Sequence, residues 1–436
     1  MILMRRYILS FICVFCLTAF AFSQDHQEQP AGEQHGTIDH QPSHGDGGHD
    51  AGCGPIEDHG FDPGAKAFHH VSDQNVYNIG PIQLPLPCFL YAPGHGWTTF
   101  SSGQFHPDAH GNGHAAISKY VLVEGLVRRI DDPSFPDGEV EIGHHPYLKM
   151  EMQADGKEKE IPYVCYNAKL YPTVGRSTAD FGMFGGGISS FYDFSLTKNV
   201  VTMLLVFLFL ALVFSSVAKA YSKRDGMAPT GLQGFMEPIL LFIQDEVAKP
   251  FIGAKWEKYL PFLLSIFFFI LGLNLFGQIP FFGGSNVTGN LAFTGVMAIL
   301  TFLVVNLSGN RHYWEHVLWM PGVPSALKVL ILTPVEFLGI FIKPFTLMLR
   351  LAANITAGHI VITIFISLIF IFGKGQWGPS LGTSIGSTVL TMFMMAIELL
   401  VAFIQAFVFT LLTASYIGSA VEDGHGHDHE EAGAHH

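Results

Sequence analysis

The chain has 436 residues, of which 49% are hydrophobic and only 14% charged, against about 25% charged in soluble domains. That composition excludes an ordinary soluble enzyme, and a formal net charge of −13 speaks against a nucleic-acid binder. The charge is unevenly spread: residues 24–190 hold 22 acidic and 9 basic side chains, whereas residues 191–436 hold 14 and 12. An acidic, water-facing segment is joined to a nearly neutral, apolar one.

Residues 1–23 read as a secretory signal peptide. Arg5 and Arg6 precede an apolar run from Tyr7 to Phe22, and Ala21-Phe22-Ser23 makes a small-x-small cleavage site. A short first membrane anchor is the competing reading. Residues 24–63 are His-, Gly- and Asp-rich without apolar periodicity, the signature of a disordered segment. Residues 64–190 form a small β-rich extracytoplasmic domain. Its strand candidates are Tyr120-Val-Leu-Val-Glu-Gly-Leu-Val, Glu139-Val-Glu-Ile and Ile161-Pro-Tyr-Val-Cys-Tyr, separated by turn clusters such as Asp131 to Gly138. Beyond the signal peptide three cysteines remain, Cys53, Cys88 and Cys165. An oxidising compartment permits one disulfide with one thiol left over, and spacing does not choose the pair.

Residues 191–420 carry the membrane domain. Val200–Ala218, Tyr259–Phe282 and Leu291–Gly309 lack any charge, and about 20 such residues cross a ~30 Å core. Two longer apolar runs follow, from Val329 to Gly373 and from about Leu381 to Ala420. Counted from Pro344, the first reaches roughly 42 Å at 1.5 Å per residue, and the second roughly 60 Å. The expected fold is therefore an all-α polytopic membrane protein. Upright spans are followed by a strongly tilted helical hairpin that turns at the Gly373–Pro379 loop. Lys219, Lys223, Arg224, Lys249, Lys255, Lys258, Arg311 and Lys328 fall on one side and only Lys374 on the other. By the positive-inside rule the mature N-terminus is outside, and the His- and acid-rich tail, residues 421–436, is cytoplasmic.

Ionisable groups at bilayer depth cost about 2.5–3.5 kcal/mol or more and default to ion paths or paired sites. The hairpin carries Glu336, Lys343, Arg350, His359 and Glu398, with Asn354 and Gln405 as polar companions. In an antiparallel pair, residues at one depth share an index sum. Arg350 with Gln405 gives 755 and His359 with Glu398 gives 757, and half of either falls in the expected turn. Asn354 shares a face with Arg350 and Gln405 shares one with Glu398, while His359 lies half a turn round from Arg350. A His/Glu pair can relay protons. An always-charged arginine cannot, but it attracts carboxylates and blocks leakage. Plainer roles compete. Lys343 can snorkel, Asn354 and Gln405 can be interhelical hydrogen-bonding groups, Glu336 can face inner water, and His359–Glu398 can be a structural ion pair.

Leu349-Arg350-Leu351-Ala-Ala-Asn354-Ile-Thr-Ala-Gly358-His359 resembles the signature helix of subunit a of F-type ATP synthases. Ile404-Gln405-Ala406-Phe407-Val408-Phe409 is similar to that family's last helix. Asn274-Leu-Phe-Gly-Gln-Ile-Pro280 and Glu336, fourteen residues before the arginine, support the match over roughly residues 190–420. The resemblance implies a stationary proton-translocating subunit in a bacterial inner membrane. It would work with a ring of c subunits and b-type peripheral stalk subunits, with no catalytic activity of its own. Arg350 would face the ring carboxylates, and His359 and Glu398 would match outer half-channel positions, with the two residue types exchanged relative to some members. Glu336 would match the inner half-channel, and Asn354 and Gln405 polar positions near the arginine. The choice between protons and sodium stays open. The resemblance says little of residues 24–190, where family members usually have no counterpart.

No Gly-x-x-x-x-Gly-Lys-[Ser/Thr] loop is present, so no nucleotide site is assigned. Fourteen histidines in residues 24–190, among them His69-His70 and His144-His145, show no repeated metal-site spacing. No metal or cofactor is assigned, although a metal-binding role for them stays open. The competing function is a secondary transporter for metal cations with a His-rich outer domain; it calls for internal repeats, and none is visible. A ligand-binding sensor is disfavoured by the shortness of the cytoplasmic segments.

Overall fold

The computed structural model describes residues 53, 72–79, 82–108, 111–143, 146–152, 158–178, 187–224, 226–279, 285–318, 328–373 and 377–422. The expected signal peptide, nearly all of residues 24–63, His69-His70, His144-His145 and the tail from 423 lie outside the described residues.

Short antiparallel strands make up the N-terminal part. β1 (Val76–Ile79) pairs with β2 (Ile82–Pro85). β3 (Pro87–Ala92) lies between β4 (Gly96–Ser101) and β12 (Tyr192–Asp193). β5 (Ala115–Ile117), β6 (Tyr120–Val123), β7 (Leu126–Arg129) and β8 (Glu139–Glu141) form a sheet in the order β7-β6-β5-β8. β10 (Glu158–Tyr166) joins β9 (Tyr147–Met152) to β11 (Lys169–Pro172). Two apolar clusters fill this part, one around Leu90, Phe105 and Phe191 and one around Val121, Ile130 and Phe135.

The run from Tyr120 to Val127 is a hairpin rather than one strand. Val123 pairs with Leu126 across Glu124-Gly125, both at positive φ, as a two-residue type I′ turn requires. A Cβ on Gly125 would stand 2.8 Å from Gln74 Cγ, so glycine is also needed for space. Cys53 and Cys165 form the disulfide, and the left-over thiol is the buried Cys88. Strand pairing also runs past residue 190, because β12 closes on β3 immediately before the first span.

Five helical segments are long and apolar enough to cross a membrane. α1 (Lys198–Lys223) is the first. α2 (Leu232–Phe242) continues through a π-helical stretch (Ile243–Ala248) into the short α3 (Lys249–Ile252) and on to α4 (Trp256–Gly277). α5 (Leu291–Ser308) is followed by the short α6 (Arg311–Leu318), α7 (Thr333–Gly373) and α8 (Trp377–Val421). From Tyr259 to Asn274 α4 is almost wholly apolar and is buried nearly all round, as a helix at the centre of a bundle must be. α1 reaches it closely at Gly272, where a Cβ would meet Val206 Cγ1 at 2.9 Å. α8 ends against two donors: Lys255 Nζ and Asn310 Nδ2 both bond to the Val421 carbonyl. These bonds satisfy helix-terminal oxygens that have no partner within the helix.

α7 has 41 residues and continues through Pro344 without a break in helical assignment, so it begins before the proline rather than after it. An apolar-segment helix tolerates the missing N–H because neighbouring groups meet the freed carbonyl. At 1.5 Å per residue α7 and the 45-residue α8 measure about 60 and 68 Å.

A buried polar joint ties the outer strands to α1. Asp73 Oδ1 accepts from the Asn199 and Gln74 backbone N–H groups at 3.0 Å each, and the Gln74 carbonyl accepts from Lys198 N at 2.8 Å. Asp73 thereby serves the free N–H groups of the helix start from more than a hundred residues away. Asp193, also buried, receives Asn75 Nδ2 at 3.3 Å and pairs with Arg176 at 3.4 Å. Burial pushes the Asp73 carboxyl up to about 6, against the opposing pull of its hydrogen bonds and of Arg176 and Lys198. A folded value above the unfolded one, about 3.9, means the native state binds the proton more tightly between the two. The carboxyl's stabilising contribution is present in full below about pH 4 and is lost as pH rises through about 6. Asp73→Asn is therefore expected to flatten the fall in thermal stability of the full chain across that window. An unchanged slope in melts at stepped pH would exclude Asp73 as its source.

Candidate functional site

Inside the bundle the ionisable groups separate into two places. α7 and α8 pack along one another, and His359 Nδ1 lies 3.2 Å from Glu398 Oε1. Their side chains are 14% and 6% exposed. The contact is at ion-pair distance without aligned hydrogen-bond geometry at Oε1. Gly358 makes room for it, because a Cβ there would stand 3.1 Å from the same carboxylate oxygen.

A belt of amides and hydroxyls surrounds the pair. On α4, Asn274 and Gln278 stand one turn apart and donate to α8 carbonyls one turn apart: Asn274 Nδ2 to Ala402 O at 3.1 Å, and Gln278 Nε2 to Glu398 O at 2.9 Å. Thr288 Oγ1 donates to Asn274 Oδ1 at 2.6 Å. Asn286 Nδ2 reaches Thr356 Oγ1 at 3.3 Å, and Thr356 in turn donates to the Gly289 carbonyl at 3.2 Å. The Asn-Leu-Phe-Gly-Gln segment is thus the clamp of α4 on α8. The loop before α5, which carries Asn286 and Thr288, is stitched to α4 and α7. The sequence alone gives Asn274 and Gln278 as part of a family resemblance without a separate role. Their i, i+4 spacing on an otherwise apolar helix was the available signal.

Arg350 is elsewhere. It is exposed on α7 and makes no ion pair or hydrogen bond among the described residues. Phe341, Phe345 and Leu349 of α7 and Leu399, Phe403 and Ile404 of α8 are also exposed. Asn354 is also exposed, whereas Gln405 is buried at 8%. No hydrogen bond joins Arg350 to Gln405 among the described residues. Glu336 is half-buried at the start of α7 and acts electrostatically on Tyr313 of α6. Lys343 Nζ stands 5.5 Å from the centre of the Tyr416 ring, a cation–π contact. These last residues border a small cleft lined by Asn306, Tyr313, Ile340, Lys343 and Tyr416. No three His, Cys, Asp or Glu side chains converge as metal ligands among the described residues.

Five apolar spans with charged and amide groups set between them define a polytopic membrane protein with a polar site inside the bundle. Residues 200–418 match the family described as ATP synthase A chain. ATP synthase subunit a of Chloroherpeton thalassium is 41% identical over 245 residues, covering 54% of this chain and 71% of its own. That of Pelodictyon phaeoclathratiforme is 41% identical over 251 residues, covering 56% and 71%. The chain belongs to the ATP synthase A chain family, and so is a membrane subunit of the F0 sector, part of proton transport in ATP synthesis.

ATP synthase subunit a of Anaeromyxobacter dehalogenans is 34% identical over 341 residues, 75% of this chain and 83% of its own. That is more than the whole stretch from residue 191 onward, so the likeness extends into the outer part. Residues 67–171 separately match a family described as a domain of unknown function. The outer part is therefore shared with other chains, where sequence reading treated it as extra.

Asn274→Ala is expected to lower the stability of the purified chain by about 1–3 kcal/mol, because Ala402 O and Thr288 Oγ1 lose their partner in an apolar setting. Thermal melts in detergent check this, and an unchanged midpoint would mean the α4–α8 clamp does not hold the bundle.

Proposed function

We propose that this chain is the stationary subunit through which protons cross the membrane by two offset half-channels, with Arg350 between them facing the carboxylates of a rotating c ring. The observation that carries the reading is the separation of the two ionisable sites on α7. His359 lies against the buried Glu398 on one side, while Arg350 stands exposed half a turn away and about 13 Å along the axis. A buried pair shielded from the arginine suits proton entry from outside. The uncovered face of α7 and α8 suits a ring that slides past it.

In this account a proton passes along His359 and Glu398 to a ring carboxylate. Rotation carries the neutral carboxyl round through lipid. On return, the fixed positive charge of Arg350 favours the carboxylate, and the proton leaves by an inner path beside Glu336. Arg350 never changes protonation state, so it closes the direct route between the two half-channels. Asn354 and Gln405 orient water and side chains near the arginine. The long α7 and α8 lie strongly tilted, since each exceeds a ~30 Å core about twofold. The processed N-terminus and the β-rich part are outside, the C-terminus is cytoplasmic, and b-type stalk subunits hold the chain against rotation.

Glu398→Gln is expected to lower ATP-driven acidification of inverted vesicles at least about tenfold while the ATPase sector stays bound. Exchanging the pair, His359→Glu with Glu398→His, is expected to recover much of that loss, because the two groups meet at one point. Full pumping by Glu398→Gln would remove the pair from the pathway. A double exchange no better than the single change would point to a structural role.

A further inference from the structure

The three-stranded sheet of β3, β4 and β12 has two unlike faces. One packs inward through Cys88, Leu90 and Ala92, each fully buried. On the other, register places Tyr91 opposite both Trp97 and Tyr192, Phe89 opposite Thr99, and Phe194 N–H on the Phe89 carbonyl. Five aromatic side chains and a threonine therefore share one surface, with no charged residue among them. Trp97 is 62% and Phe89 39% exposed, although Trp97 lies against Tyr91 and Phe194 at ring-centre distances of 5.2 and 5.5 Å. An open aromatic face of this kind is unusual on a water-facing domain.

We propose that this face rests in the headgroup layer of the membrane that α1 enters. Its position argues for lipid. Phe194 is four residues before Lys198, the first residue of the span, so it stands no more than about 14 Å from the start of the span along the chain. The polar layers add roughly 5–7 Å on each side of the hydrocarbon core. The segment between cannot swing free, since Asp193, Ser195 and Asn199 are each hydrogen-bonded into the domain. The chemistry agrees with the position. Tryptophan and tyrosine, apolar in body with one polar tip, are the residues that settle at the membrane–water boundary. The outer domain is thus a second membrane contact beside the spans, holding α1 through the Asp73 joint at a fixed depth. This does not depend on the proton path proposed above.

The test uses the assembled complex in phosphatidylcholine nanodiscs carrying a nitroxide-headgroup lipid. The chain has five tryptophans, so the Trp97 signal is read as the difference between wild type and Trp97→Phe. The face in the headgroup layer predicts loss of most of that emission with the nitroxide lipid and little quenching by aqueous iodide. Quenching by iodide alone would place Trp97 in water, and quenching by neither would place it under a protein partner. Either result overturns the proposal. A spin label at Thr99→Cys, on the same face, gives the same decision from oxygen against aqueous-relaxant accessibility if the Trp97 variant disturbs the sheet.

Discussion

A carboxyl group enclosed in an apolar bundle must meet a counter-charge, a hydrogen-bond donor or a proton, because hydrocarbon offers it nothing else. Glu398 is in that position, and much of the membrane domain is arranged around it. His359 comes across from α7, Gly358 leaves space for the carboxylate, and Gln278 anchors the Glu398 backbone from α4. One turn further along, Asn274 repeats the anchor on Ala402 and is itself held by Thr288. Three helices and a loop are pinned at the depth of one ionisable pair. This makes the pair's position a property of the whole bundle, as a relay between water and a moving carboxylate would require.

Arg350 is governed by the opposite condition. It stands exposed on α7, and large apolar side chains elsewhere on the two helices, Phe341, Phe345 and Leu349 on α7 and Phe403 and Ile404 on α8, are uncovered as well. An exposed guanidinium at that depth is unfavourable in lipid alone. It becomes reasonable where a carboxylate is delivered to it, which is the role proposed for the ring. In the proposed function the two sites would divide the work by burial: one would exchange protons with a channel, and the other would hold a charge that never leaves.

Much of this was legible in the sequence because the bilayer imposes lengths. Uncharged runs marked α1, α4 and α5, and the index sums of the last two runs located His359 against Glu398. Helix α2 and its π-helical continuation were not legible. Pro238, Asp245, Glu246 and Lys249 break up the apolar run there, and the burial of the π-helical stretch comes from packing on α4 and α8. The Glu124-Gly125 hairpin was hidden because a two-residue turn inside a uniformly β-prone stretch leaves periodicity almost unchanged. The choice of Cys53 with Cys165 depended on a fold that brings residues 112 apart together. Asp73 serving a helix 126 residues away is a tertiary contact of the same kind.

The central claim is that Arg350 is the fixed charge of a proton path, and one comparison tests it most directly. ATP-driven acidification of inverted membrane vesicles would be measured for wild type and Arg350→Ala at matched assembly of the complex. The account predicts that acidification disappears while the ATPase sector remains bound. Unchanged acidification would contradict it at its central residue.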